Sequence, residues 1–138
     1  MSDKIAMLER APLFSGVDRE VLARIAELTE VEEVAAGTTL THEGRHEGYF
    51  FVVIEGTIRI ERGGRTINTM GPGDFLGEIA LLDGGPRTAT AIAETACRLL
   101  SLMPEQFHQL LEDMPTVQTA VLKSVAEHLR KVDNETAI

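Results

Sequence analysis

The chain has 138 residues, 43% of them hydrophobic and 25% charged, an ordinary balance for one globular domain with a core of its own. A formal net charge of −9 argues against nucleic acid or anionic membrane as a partner, since both are repelled by a domain this acidic. Cys97 is the only cysteine, which excludes a disulfide framework and fits a reducing cytoplasm; no apolar run reaches a membrane span, and Met1-Ser2-Asp3-Lys4 lacks the shape of a signal peptide.

In chain order, the first third reads as helical. Asp3 to Arg10 is a short amphipathic segment stopped near Pro12. Asp18 is placed to cap a helix from Arg19 to Glu30, on which Val21, Leu22, Ile25 and Leu28 share one face. From Val31 to Leu102 the period changes to β-type runs punctuated by glycine: 31–35, 38–41, 49–54, 57–61, 65–70, 75–77, 88–93 and 96–102. Ala36-Gly37, Glu55-Gly56, Gly63-Gly64 and Gly71-Pro72-Gly73-Asp74 supply turns between them. Strands this short and this evenly spaced predict a closed roll rather than a parallel α/β sheet.

Helical periodicity returns after Pro104. Glu105 to Asp113 is followed, past Pro115, by a longer helix with Val117, Val121, Val125, Leu129 and Val132 on one stripe, and Asp133 to Ile138 read as a frayed end. The expected fold is mainly β (α+β), one domain over 1–138. It comprises helices near 3–30, an eight-stranded β-roll (jelly roll) near 31–102, and two C-terminal helices near 104–132.

The stretch T-H-E-G-R-H-E-G, Thr41 to Gly48, contains H-E-x-x-H, the pattern of a helical zinc site. That chemistry needs both histidines on one helical face. Here Gly44 sits inside the pattern, Gly37-Thr38-Thr39-Leu40-Thr41 precedes it, and the β-type run Tyr49 to Ile54 follows. A polar turn between two strands is the expectation, with no metal and no catalytic residues.

The segment that carries chemistry runs from Leu76 to Thr90. Gly77 lets the backbone turn closely, and Glu78-Ile79-Ala80-Leu81-Leu82 is composed for one short helical turn, whose free N–H groups form an anion site. Gly84-Gly85-Pro86 reverses the chain and delivers Arg87, a fixed cation able to grip a phosphate bidentately. Glu78, an acceptor only, suits a pair of sugar hydroxyls. Together they describe a ribose-phosphate pocket, although Glu78 and Arg87 equally fit a simple ion pair across a turn.

The segment G-E-I-A-L-L-D-G-G-P-R-T-A-T closely resembles the phosphate-binding cassette of cyclic nucleotide-binding domains. These modules occur in catabolite activator proteins, regulatory subunits of cyclic-AMP-dependent kinase, cyclic-GMP-dependent kinases and cyclic-nucleotide-gated channels. P-L-F-S-G-V, A-G-T-T-L-T-H-E-G, F-F-V-V-I-E-G-T-I-R-I and G-P-G-D-F-L-G-E agree, so the likeness covers about residues 10–132, with the cassette at 76–90. The resemblance implies that Glu78 accepts from the ribose 2′-hydroxyl and Arg87 holds the cyclic phosphate. It also implies that the amides of Gly77, Ala80 and Ala89 complete the cradle with the Thr88 hydroxyl, Ile79 lying within the turn. The base then lies against Ile67, Met70 and Leu76 under the last helix, near Leu129 and Val132.

What the resemblance implies is a regulatory domain rather than an enzyme, stand-alone or excised, with no helix-turn-helix, kinase or channel segment in the 138 residues. It needs no cofactor. Its ligand is cyclic AMP, on the prior that this is commoner in bacterial-looking members. Cyclic GMP is the alternative, since Thr88 directly after Arg87 resembles cyclic-GMP-dependent kinases. At the capping position Leu129, Arg130, Lys131, Val132 and Asp133 stand where some bacterial members place hydroxyl side chains. Output is expected through movement of the helix near 116–132, read by an effector protein or a second copy of the chain. A degenerate, ligand-free domain is opposed by the presence of both Glu78 and Arg87. A cupin-like metalloenzyme, also a jelly roll, needs converging ligands; His42 and His46 share one turn, whereas His108 and His128 fall on C-terminal helices.

Overall fold

A computed structural model describes residues 2–14, 16–46, 49–77 and 84–136. Two helices lead, α1 (Ser2–Arg10) and α2 (Arg19–Leu28), separated by a 3-10 turn at Pro12–Phe14. Asp18 stands at the N-cap of α2 in extended conformation, but its side chain makes no capping hydrogen bond. The other end of α2 is closed from a distance: Lys4 Nζ donates to the carbonyls of Thr29 (2.7 Å) and Ala26 (3.2 Å). A cation there satisfies carbonyls that the helix leaves without partners.

Eight strands follow among the described residues: β1 (Glu30–Val34), β2 (Thr39–Thr41), β3 (Phe50–Glu55), β4 (Ile58–Arg62), β5 (Arg65–Met70), β6 (Phe75–Leu76), β7 (Thr90–Ala93) and β8 (Cys97–Leu102). They form two four-stranded antiparallel sheets, ordered β1-β8-β3-β6 and β2-β7-β4-β5. This is a jelly roll, as the spacing of the runs predicts. Two helices close the chain, α3 (Pro104–Asp113) and α4 (Pro115–Thr136). The last helix therefore continues through residues expected to fray, because after Pro115 the sequence contains neither proline nor glycine to stop it.

The strands β3 and β8 are apolar on both faces, and the fold explains why. Side chains alternate across a strand. Phe50, Val52, Leu100 and Leu102 point into one core cluster with the helical residues Leu8, Phe14, Ile25, Phe107, Val117 and Val121. Phe51, Val53, Cys97 and Leu99 point into a second cluster, between the sheets, with Ile58, Ile60, Leu76, Ala91 and Ala93. One sheet thus separates two dry layers, helices outside and roll interior inside. The first layer includes a ring stack, Phe50 on Phe107 with centroids 4.5 Å apart. No helix among the described residues is long and apolar enough to cross a membrane.

Candidate functional site

The turn Gly71 to Asp74 sets the entry to the site. The Asp74 carboxylate accepts from the Gly71 amide (2.9 Å), and the turn is bonded to β3 through Gly73 N to Val53 O and Val53 N to Asp74 O, both 2.8 Å. From it leaves β6, two residues long, in register with β3 (Phe51 with Leu76, Val52 with Phe75). Gly77 comes next. Its φ is +102°, a region that side chains with a Cβ avoid, and a Cβ there would lie 2.5 Å from Arg87 Nη1 and 2.7 Å from the Tyr49 carbonyl oxygen. Only glycine lets the backbone pass this close to the guanidinium.

Arg87 lies three residues before β7 and is 4% exposed, the one buried charged side chain among the described residues. Taking such a charge out of water costs several kcal/mol unless polar groups replace the lost hydration. One replacement is the Tyr49 carbonyl, which accepts from Nη2. Gly77 and Arg87, two of the residues expected around the phosphate, are therefore in direct apposition. Glu78, Ile79 and Ala80 lie outside the described residues. Thr88 is exposed, and Ala89 packs against the inter-sheet cluster.

Of the residues expected around a base, Leu76 is buried in that cluster and Met70 packs against it. Ile67 is 47% exposed and belongs to neither cluster. The register of β4 with β5 passes from Ile60–Asn68 to Glu61–Thr66, so Ile67 is the extra residue of a bulge that turns it away from strict alternation. Leu129 and Val132 fall on α4, but their side chains lie outside the described ones. The stripe ahead of them is anchored: Val117 and Val121 are each 1% exposed within the helical cluster, and Val125 packs against it. Of the stretch expected to move, from about Thr116, the first turns of α4 are thus packed into the core.

Sequence reasoning missed what holds Arg87 in place. The T-H-E-G-R-H-E-G turn does so. Its described part is a turn and not a helix, with Gly44 at φ +84°, a left-handed value no α-helix contains. The Gly44 amide donates to the Arg87 carbonyl (2.9 Å) and the Arg87 amide donates to the Arg45 carbonyl (2.8 Å). Thr41 Oγ1 donates to the Ala89 carbonyl (3.1 Å), and the Glu43 amide to Thr90 Oγ1 (3.0 Å). The zinc-like pattern is thus the backing of the buried arginine. No spacing in the sequence announces this. The topology would have, because β2 and β7 are antiparallel neighbours, which brings the segment after β2 beside the segment before β7.

Among the described residues no group of three or more His, Cys, Asp or Glu side chains is arranged to hold a metal ion. On β4, Arg59 is raised above its ordinary range by its 2.7 Å hydrogen bond to Glu61, with charge from Glu61 and Glu94 adding. That pair serves the sheet surface and lies apart from the Gly77–Arg87 contact.

Residues 31–114 match the family described as "Cyclic nucleotide-binding domain". The chain is 29% identical over 136 residues to the CRP-like cAMP-activated global transcriptional regulator of Mycobacterium tuberculosis, covering 95% of this chain and 61% of that protein. It therefore spans less than two thirds of that relative. Among solved structures, "cAMP bound PfPKA-R (141-441)" superposes with a TM-score of 0.85 at 26% identity, over 99% of this chain and 47% of that one. The regulatory subunit of a cAMP-independent protein kinase A from Trypanosoma brucei superposes with a TM-score of 0.84 at 20% identity, over 99% of this chain and 49% of the other. The last likeness concerns the fold alone.

Proposed function

The chain belongs to the cyclic nucleotide-binding domain family, and on that premise we propose that it binds a cyclic mononucleotide at Gly77 and Arg87, preferring cyclic AMP to cyclic GMP. The observation that carries this reading is the buried Arg87 guanidinium, held against a glycine whose backbone admits no side chain. A buried cation beside close-packed backbone suits an anion with directional oxygens, and a cyclic phosphate is one. In this reading Arg87 takes the phosphate, and the amides of Gly77, Ala80 and Ala89 with the Thr88 hydroxyl complete the cradle. Glu78, as an acceptor, takes the ribose hydroxyl. Met70 and Leu76 line the base, with Ile67 at the rim.

Preference for cyclic AMP draws on two relatives, one described as cAMP-activated and one solved with cAMP bound. The fold by itself cannot supply the preference, since a cAMP-independent kinase subunit shares it. A Thr88 contact to a guanine amino group is worth about 0.5–1.5 kcal/mol, roughly tenfold at most. It modulates base choice without dictating it.

The domain does no chemistry of its own in this reading, needs no metal or other cofactor, and works in the cytoplasm as one unit over 1–138. Its output is the part of α4 beyond Val125, with Leu129 and Val132 closing over the base. An effector protein or a second copy of the chain reads that movement. Thermal unfolding with each nucleotide tests the proposal: cyclic AMP at millimolar concentration raises the midpoint, and cyclic GMP raises it less. A larger shift with cyclic GMP reverses the base assignment, and no shift with either removes the receptor reading.

A further inference from the structure

The segment from Arg87 to Thr90 is fastened to the fold by a closed circuit of side-chain bonds outside the core. Arg62, at the end of β4, donates from Nε to the Thr88 carbonyl at 2.9 Å. Its neighbour Gly63 donates its amide to Glu43 Oε1 at 2.9 Å. Glu43 in turn donates its own amide to Thr90 Oγ1 at 3.0 Å. The circuit runs from Thr88 through the β4–β5 turn and the turn after β2, then back to Thr90.

Strand pairing does not require it. β4 and β7 are already in register from Ile58–Ala93 to Glu61–Thr90, and Arg62, Glu43 and Thr88 are all outside the core. What lacks ladder bonds is the stretch just before β7, where Thr88 and Ala89 stand, and there the circuit grips. It ties that stretch to the hairpin whose second strand, β5, carries Ile67 and Met70. A phosphate site and a base site on separate elements need a fixed separation, because a displacement of about 1 Å is enough to spoil preorganised contacts.

We propose that Arg62 and Glu43 are positioning residues for nucleotide binding, a strap that sets where Thr88 and Ala89 stand relative to Arg87 and to β5, without touching the nucleotide. This rests on the cyclic nucleotide reading of the site. The strap acts through Thr88, so its effect is coupled to that residue. It acts by geometry rather than by attraction of the phosphate, so its effect persists when salt screens exposed charge.

The test is calorimetric titration of cyclic AMP into the parent chain, Arg62→Met, Glu43→Gln, Thr88→Ala and the Arg62→Met/Thr88→Ala double variant, at low and high sodium chloride. Urea unfolding of each ligand-free protein runs alongside. Arg62→Met is expected to weaken binding about fivefold, the scale of one exposed charge-assisted contact, and Glu43→Gln by somewhat less. The loss has the same factor at both salt concentrations and shrinks in the Thr88→Ala background, while the ligand-free unfolding midpoint stays that of the parent. Parent-like binding by both strap variants overturns the inference. So does a loss that adds fully to that of Thr88→Ala, a loss that disappears in high salt, or a matching drop in ligand-free stability. A parent chain that binds no cyclic mononucleotide removes the underlying reading, and the strap with it, which is a different result from strap variants that bind normally.

Discussion

Gly77 and Arg87 are fitted to each other: a single added carbon on the glycine would fall 2.5 Å from the guanidinium nitrogen Nη1. The contact has two consequences that one substitution reads out. Gly77→Ala places a Cβ at φ +102° and pushes on both Arg87 and the Tyr49 carbonyl. We expect a stability loss of about 1–3 kcal/mol from the backbone alone, measured by urea unfolding, together with weaker nucleotide binding. An unchanged midpoint would show that the two residues are not in contact.

Arg87→Ala and Glu78→Ala should rank in that order of damage. Removing the one matched cation leaves the phosphate desolvated and unpaired, at a cost of about 3–5 kcal/mol, or roughly two to four decades in Kd. In the proposed binding mode Glu78 accepts from a neutral hydroxyl, a bond nearer 1.5–3 kcal/mol, and its removal would also relieve repulsion with the phosphate. Because Arg87 is buried and donates to Tyr49, its loss should also lower ligand-free stability by about 1–3 kcal/mol as that carbonyl loses a donor. Titration and urea unfolding of both variants check the ranking, and equal losses of affinity would reject it.

The helical layer depends on Phe107, fully buried and stacked on Phe50. Phe107→Ala should cost about 3–5 kcal/mol in guanidinium unfolding, and Phe107→Leu distinctly less because it keeps most of the volume. A small loss for the alanine variant would mean that α3 is not packed on β3 as described.

Most of the fold was legible because its signals are local. Eight β-type runs, turn pairs such as Gly63-Gly64, and the return of helical period after Pro104 each depend on neighbours in sequence, and the strands form within two residues of the expected bounds, β7 beginning at Thr90 rather than Thr88. The double-sided apolarity of Phe50 to Val53 was also visible, but its cause was not. Two clusters share that strand, which only the sheet order reveals. Of the candidate site residues, Gly77 and Arg87 were singled out from chemistry and spacing, and the fold brings these two together. Their backing was not legible, since Gly44, Arg45 and Tyr49 lie more than 35 positions from Arg87 and bond to it largely through main-chain atoms, which any sequence supplies. The exposure of Ile67 was not legible for a related reason: a bulge shifts one residue out of alternation without leaving a mark in the pattern.

Closure by the last helix divides at Val125. Val117 and Val121 are core, so their amides should be well protected from hydrogen exchange with or without nucleotide. Amides beyond Val125 should gain protection on adding cyclic AMP, as expected for an element whose ordered state the ligand favours. Exchange that changes equally along the whole helix would reject an anchored base with a movable end.

Everything proposed for Gly77 and Arg87 depends on whether the chain with Arg87 intact takes up a cyclic mononucleotide at all. Isothermal titration calorimetry with cyclic AMP should give one site per chain with a Kd of about 1 μM or tighter, which is about −8 kcal/mol or better. No heat with cyclic AMP or cyclic GMP up to millimolar concentration, on protein shown to be folded, would contradict it.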